Sequence, residues 1–554
     1  MTGPAGFYRA LILEQAPRVL SLMDRDAFSP TAGCCDRTYW AWKFVDYPGS
    51  RFQEALCVLS FLYATDLPES PYHRNRRLLE WIELGLLYWC SIQYGDGSFD
   101  EAYPYERSLA ATAFTCFYVG EAMRFLGDLC PAATRDRVRQ AMQRSGDWLI
   151  RHDETHGFLS NHLAAAAAAL LHIHAITGDP SFHKRSRYFI AKILARQSPE
   201  GWYDEYGGAD PGYQTHGSFY LARYCQLSGD EDLAESLSRS MRFLAIFLHP
   251  DGSIGGEYAS RNTQTYYPAA FEMFAGRDET SSWIAETMRG SIASAAAAGL
   301  RSVDAYNYFP FLNNMVFAYL ACAQPGRAVA QPREPEAAAE LLWFPQAGIA
   351  RIRKPAYDAY IGASKGGVLK VFDRARKRRI YSDCGYIGRL KNGQTFSNQS
   401  LEPKREAAVT AREITVAGGF YVISRPMMKP PRFVAFRLFT LTANRLPYLA
   451  QWLKALLVKA LIHGRKRLDI RFRRTIRFNE HSVQVQDEIQ GGGGALVETL
   501  QRGSVFTTIH MGSSQYFIPN ELEECGGEDA PIDPGGIARG LTLERQVELA
   551  GGRA

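Results

Sequence analysis

Between Phe7 and about residue 324 the apolar positions recur at helical spacing, and short turn-rich runs break the pattern at intervals. Stretches 108–118, 163–176, 217–227 and 269–274 read as apolar helices. The turns ahead of them are alike: Asp96-Gly97-Ser98-Phe99-Asp100-Glu101, Gly157-Phe158-Leu159-Ser160-Asn161-His162, Gly201-Trp202-Tyr203-Asp204-Glu205 and Asp251-Gly252-Ser253-Ile254-Gly255-Gly256-Glu257. They recur roughly every 45 to 60 residues, the span of one helical hairpin. The alanine run 164–169 combines high helix propensity with small side chains, so neighbouring helices can approach closely. The pattern predicts an (α/α) toroid over residues 1–322, with the turns entering the inner helices gathered at one mouth, where helix N-termini favour anions.

Residues 323–339 carry Pro325, Gly326, Pro332 and Pro335 and read as a linker. From 340 to 554 the period shortens. Stretches 348–353, 368–372, 419–424 and 470–478 alternate or run β-branched, several of them bounded by glycine, and predict an antiparallel β-sandwich. A helical, apolar stretch at 446–462 with Lys454 and Lys459 interrupts the strands, and Arg465-Lys466-Arg467 follows it. The expected fold class is therefore multidomain α+β, a toroid followed by a sandwich.

Composition narrows the function. The chain has 554 residues, 46% hydrophobic, with a formal net charge of +5. That charge is too diluted for a nucleic-acid-binding stripe, so no nucleic-acid partner is expected. The ten cysteines include no CxxC pair, and reduced thiols are the expected state. No apolar run reaches about 18 residues, and the first twenty residues lack the pattern of a secretory signal, so a cytoplasmic location is expected. No Walker loop, HExxH, GxSxG or metal-ligand spacing occurs, so neither a cofactor nor a metal is expected. His172 and His174 read as structural. The basic stretches 374–379 and 465–474 suit a solvated face or an anion-binding edge, and residues 446–474 suit a peripheral membrane contact.

The run 201–220 holds most of the candidate chemistry, with Trp202, Glu205, Tyr206, Asp210, Tyr213 and His216 on turns that project side chains rather than bury them. Aromatic faces beside polar groups suit sugars. Arg107 and Arg261 stand in equivalent turns and can grip a carboxylate through paired donors, although an ordinary ion pair explains each taken singly. Asn161-His162 opens the alanine-rich helix and can reach the mouth or cap the helix. The carboxylates of these turns, Glu205, Asp210 and Glu257 among them, keep an acid–base pair for glycoside hydrolysis open; turn and cap chemistry explains most of them equally well.

A helical toroid before a β-sandwich, Asn161-His162, the Tyr213 loop, and the strand-like Gly348-Ile349-Ala350-Arg351 and Tyr381-Ser382-Asp383-Cys384-Gly385-Tyr386 together resemble the heparinase II/III-like polysaccharide lyases. The chain departs from that pattern at residues 362–368, which carry no histidine where family members often have one. The resemblance implies β-elimination on an acidic polysaccharide or oligosaccharide containing uronic acid. Asn161, His162 and Tyr213 would be catalytic, and Arg107, Trp202, Glu205, Tyr206, His216, Glu257 and Arg261 would bind substrate. His216 and Lys365 are candidates to stabilise a Tyr213 phenolate. A glycoside hydrolase, a uronate C5-epimerase and a non-catalytic glycan-binding protein remain as alternatives.

Overall fold

A computed structural model describes residues 3–154, 157–205, 207–335, 339–402, 405–423, 427–458, 466–509, 512–514, 516–523 and 531–549. The helical half runs α1 (Gly3–Leu22), α2 (Ala55–Ala64), α3 (Arg76–Ser91), α4 (Leu109–Leu126), α5 (Ala132–Arg151), α6 (Ser160–Thr177), α7 (Pro180–Leu194), α8 (Pro211–Ser228), α9 (Glu231–Ala245), α10 (Ala269–Phe274), α11 (Glu279–Ser294) and α12 (Ala305–Cys322). The even-numbered helices form a closed inner ring: α2 packs on α4, α4 on α6, α6 on α8, α8 on α10, α10 on α12, and α12 again on α2. The odd-numbered helices α3, α5, α7, α9 and α11 follow one another around the outside, and α1 packs on α12.

Residue type dictates this division. Inner helices are buried on nearly every face: α2 is buried from Ala55 through Tyr63, and residues 163–170 of α6 are all buried. Outer helices bury a single stripe, as α9 does with Leu233, Leu237, Ser240 and Leu244. Three of the four recurrent turns share one hydrogen-bond pattern. Tyr94 N–H, Ser198 N–H and His249 N–H donate to the carbonyls of Ser98, Trp202 and Ser253, and the N–H groups of Gly97, Gly201 and Gly252 donate back to Tyr94, Ser198 and His249. Gly97 and Gly201 take φ of 97° and 104° and press on the Arg144 and Arg239 carbonyls, so a side chain is excluded there on both counts. One buried carboxylate ties the two ends of the ring together: Glu272 accepts from Tyr8 Oη at 2.9 Å and from Arg327 Nη2 at 2.8 Å, and pairs with Arg289.

The second half holds two antiparallel sheets. The first is a meander of β1 (Leu341–Phe344), β2 (Ile349–Arg353), β3 (Tyr357–Gly362), β4 (Val368–Asp373) and β5 (Arg378–Asp383). The second contains β6 (Tyr386–Leu390), β7 (Thr395–Ser397), β8 (Ala407–Val409), β9 (Glu413–Ile423), β10 (Lys466–Phe478), β11 (Ser482–Gln490), β12 (Val497–Arg502), β13 (Pro531–Ile532) and β14 (Leu541–Glu548). Its order is β13-β12-β6-β7-β9-β10-β11-β14, with β8 paired to β9. Period-two alternation splits the meander between two cores. Ile352, Ile361, Leu369 and Val371 face Phe396, Ile414, Phe420 and Phe472 of the other sheet, whereas Tyr360 and Phe372 join the toroid's core beside Phe247, His249 and Tyr258. Burial on both faces leaves β3 and β4 without an exposed position.

Between β9 and β10 stands a helical hairpin, α13 (Pro430–Leu441) and α14 (Pro447–Val458). The helix expected over 446–462 is α14, and residues 459–462 lie outside the described residues. The sequence reading missed α13 because Pro430-Pro431 reads as a breaker; at the first helical positions proline removes only N–H groups that have no partner anyway. Of the basic stretch 465–474, residues 466–474 belong to β10, with Arg474 buried and Arg473 exposed. The hairpin leans on the toroid: Phe436 packs edge-on against Tyr103 with ring centroids 5.3 Å apart, Arg437 pairs with Asp46 at 3.0 Å, and Asn444 Nδ2 donates to the Tyr105 carbonyl at 3.1 Å.

Candidate active site

The site is built where α6 and α8 begin. Leu159, the residue before α6, offers no side-chain cap; Glu205 of the next turn supplies it, accepting from Asn161 N–H at 3.0 Å, while Ser160 Oγ donates to the Asp204 carbonyl at 2.9 Å. A carboxylate at a helix N-terminus is favourable. Because the cap comes from another turn, the Asn161 side chain is released from that duty. Its Nδ2 donates to Tyr213 Oη at 3.3 Å, and its Oδ1 is buried with no donor among the described residues.

Tyr213 is placed by Asp210, which caps α8 by accepting from Tyr213 N–H at 2.9 Å. The other oxygen of Asp210 accepts from Arg261 N–H at 2.7 Å and so ties the next turn to the same spot. There the Arg261 guanidinium lies over the Tyr213 ring, 3.7 Å from its centroid, and 3.8 Å from Glu205 Oε2. Burial pushes the Glu205 carboxyl up to about 8, against the pull of Arg261 and the Asn161 N–H. Ser513 Oγ accepts from Arg261 Nη2 at 3.2 Å, which brings a loop of the second domain to the mouth.

His162 stands beside this pair. Its Nδ1 meets Glu154 Oε2 at 2.7 Å, and because a carboxylate only accepts, the proton sits on Nδ1 and leaves Nε2 for a ligand. Its ring packs edge-on against Phe114 at 5.6 Å, and Phe114 stacks on His216 at 6.0 Å. His216 lies edge-on to Tyr213 at 6.0 Å, which joins Asn161, His162, Tyr213 and Arg261 in one cluster. Arg51 lies over Phe114, 4.6 Å from its centroid, and pairs with Glu54 and Glu101.

The other sequence candidates are committed elsewhere. His216 is sandwiched against Tyr267 at 4.2 Å and meets Tyr220 Oη at 3.0 Å; burial, then the charge of Arg51, holds its imidazole well below its ordinary range, so it is neutral and no cation for a phenolate. Lys365 donates to the Ser260 carbonyl at 3.3 Å, and the cation on the Tyr213 ring is Arg261. Trp202 closes a scaffold turn and donates to Glu200, which in turn accepts from the Gln346 and Ala347 N–H groups of the second domain. Arg107 donates to Asp96 and to the carbonyls of Asn444 and Arg445, so it anchors the hairpin. Glu257 is paired with Lys370; burial alone would raise its carboxyl, and Lys370 outweighs that and holds it low. Tyr206 lies outside the described residues.

Sequence reasoning missed Arg51, Glu154, Phe114 and the Ser513 loop. Arg51 precedes α2 as Arg107 precedes α4 and Arg261 precedes α10, so the repeat itself carried that signal. Nothing local marks Ser513, which arrives from 252 residues away. Among the described residues no group of three or more His, Cys, Asp or Glu side chains could hold a metal ion.

Residues 50–279 match the family described as the ulvan lyase N-terminal domain, a span that covers the turns and inner helices bearing Asn161, His162, Tyr213 and Arg261. That match covers less than half of the chain, within its helical half. In fold, the chain is similar to the chondroitin AC lyase of Streptomyces coelicolor A3 in complex with chondroitin sulphate, at 12% identity and TM-score 0.56, over 90% of this chain and 68% of that one. It is also similar to a Paenibacillus xanthan lyase, at 9% identity and TM-score 0.53, over 90% of this chain and 46% of that one. The chain thus spans about two thirds of the first and less than half of the second. Among curated proteins none matches it in sequence.

Proposed function

We propose that the protein cleaves a uronic-acid-containing acidic polysaccharide by β-elimination, with Tyr213 as the proton-transferring group. The observation that carries this reading is the Asn161 amide on the Tyr213 hydroxyl with Arg261 stacked over the same ring. Removing the C5 proton of a uronate requires its carboxylate to be neutralised, and the Asn161 amide and the Arg261 guanidinium supply donors and charge for that purpose, with His162 beside them. Tyr213 oxygen takes the C5 proton, the C5–H electron pair becomes the C4–C5 double bond, and the C4–O bond breaks. The departing oxygen takes that proton from Tyr213, which begins and ends as phenolate, and this balances the step. The chondroitin and xanthan lyases of similar fold support an acidic glycan as the substrate class.

Hydrolysis by paired carboxylates is less well supported by the geometry. Glu205 caps α6, Asp210 caps α8 and holds Arg261, and Glu257 is paired with Lys370, so each has a structural task away from a sugar. The test is a panel of acidic and neutral polysaccharides, with ultraviolet absorbance for unsaturated ends and mass spectrometry of the products. Tyr213→Phe is expected to lose about a hundredfold or more of turnover while glycan binding persists. Full activity in Tyr213→Phe, with loss in Glu205→Gln or Glu257→Gln, would replace the lyase by a hydrolase; proton exchange at C5 with no chain cleavage would replace it by an epimerase. The membrane-surface contact expected over 446–474 is retained in narrowed form, since β10 takes residues 466–474 into a sheet.

A further inference from the structure

The α13–α14 hairpin has its polarity reversed. Val434, Leu438 and Leu441 form a stripe along α13, and Tyr448, Trp452 and Leu456 form one along α14, and both stripes face solvent. Leu438 is 62% exposed, Tyr448 65% and Trp452 55%, whereas Ala450 and Leu453 of α14 are buried. Spacing of three and four residues is that of a helix burying one face, here left exposed by the described residues. Met427 and Met428 ahead of α13 and Leu446 between the helices extend the same apolar surface. A patch of this size marks a contact surface.

Charge says what the surface meets. Between Glu413 and Asp469 the sequence has no acidic residue and ten Lys or Arg. Lys429, Arg432 and Arg445 are exposed beside the apolar stripes. We infer that the hairpin docks on an anionic lipid surface, with the stripes in the interface and the basic residues at the headgroups. Each helix has 12 residues, about 18 Å of length, well short of the roughly 30 Å of a bilayer core, and no helix among the described residues is long and apolar enough to cross one. The hairpin therefore lies along the surface. A second copy of the chain fits worse, because a symmetric contact would set this basic face against itself. The underside of the hairpin grips the turns entering α2 and α4 through Asp46, Tyr103, Tyr105 and Arg107, so docking holds the mouth of the toroid beside the lipid. The inference rests on the surface contact proposed above and not on the elimination chemistry.

The test is co-sedimentation of the full chain with vesicles of phosphatidylcholine alone and with added phosphatidylglycerol, at low and high salt. Binding to the anionic vesicles is expected, weakened by salt and reduced about tenfold by Lys429→Glu with Arg432→Glu. Leu438→Glu with Trp452→Glu should reduce it at least as much, with far-UV circular dichroism and the thermal midpoint unchanged because both side chains are exposed. The salt comparison on the unaltered chain needs no variant to fold. Absence of vesicle binding, equal binding to neutral and anionic vesicles, or a solution dimer that Leu438→Glu dissolves would each overturn the inference. Tyr213→Phe should bind vesicles as the parent does, so failure of the lyase reading and failure of docking give different results.

Discussion

Two regions of the molecule bury charge, and they treat it differently. In the sandwich, Arg474 donates through Nε and Nη2 to Asp487, and through Nη1 to Asp383 and to the Gly367 carbonyl; Tyr386 Oη adds a bond to Asp487 at 2.6 Å. Arg545 pairs with both carboxylates. Burial would raise Asp487, but Arg474 overrides it and the group sits below its ordinary value. At the mouth the account stays open. Glu205 is pushed up to about 8 although Arg261 is 3.8 Å away, Asn161 Oδ1 has no donor among the described residues, and Arg261 lies on a ring instead of squarely on a carboxylate. Charges that fit one another hold a fold together, whereas buried polar groups left in poor company mark a place prepared for something else.

The comparison can be broken at four points. Arg474→Met leaves two buried carboxylates facing Arg545 alone, and should cost about 3–5 kcal/mol of stability in urea unfolding. A loss under about 1 kcal/mol would mean that the sandwich network is no more settled than the mouth. Asn161→Ala should do the reverse: turnover falls about a hundredfold, and stability changes by less than about 1 kcal/mol because its oxygen had no partner to lose. Equal losses in both measurements would make Asn161 a packing residue.

Glu205→Gln tests the raised carboxyl through pH. An unfolded glutamate titrates near about 4.3, whereas the folded one holds its proton up to about 8. The folded state thus binds a proton that the unfolded state has released, and the stability present at low pH is lost as pH rises towards 8. His216, depressed in the fold, gives the opposite trend below about 6.5, so the window to read is from there to 8. Unfolding free energy should fall there by up to about 1.4 kcal/mol per pH unit, and Glu205→Gln should flatten that slope. An unchanged slope would place the proton elsewhere. The smallest effect is expected of Trp202→Phe, about 1 kcal/mol for the lost bond to Glu200 with turnover unchanged. A drop in sugar affinity would restore Trp202 as a stacking platform.

The ring of hairpins and the change of period were legible because each depends on local rules. Gly97 and Gly201 announce turns, and β4 starts directly after the Gly366-Gly367 pair. Asn161, His162 and Tyr213 could be placed at helix entrances from the turns that precede them. Their partners could not be read in the same way, because Glu205 caps α6 at Asn161, 44 residues earlier, and Ser513 reaches Arg261 from another domain. Trp202 and Arg107 misled for a related reason: an aromatic or arginine in a turn looks the same whether it faces a ligand or a neighbouring segment. The hairpin was half legible, α14 by its apolar period and α13 concealed by its prolines.

Glu272 also sets an order of events in the making of the molecule. Its partners lie at Tyr8, Arg289 and Arg327, so the first helix, among the earliest to be synthesised, meets its counterpart only after some three hundred residues have followed. Until α12 is complete, α1 has no wall to rest on and the inner helices form an open arc with one apolar flank in water. A chain stopped at residue 279, where the ulvan lyase match ends, would carry the turns of the candidate site yet lack Arg289, Arg327 and α12. The ring is sealed from its far end, and the cleft acquires its final shape only when that last helix arrives.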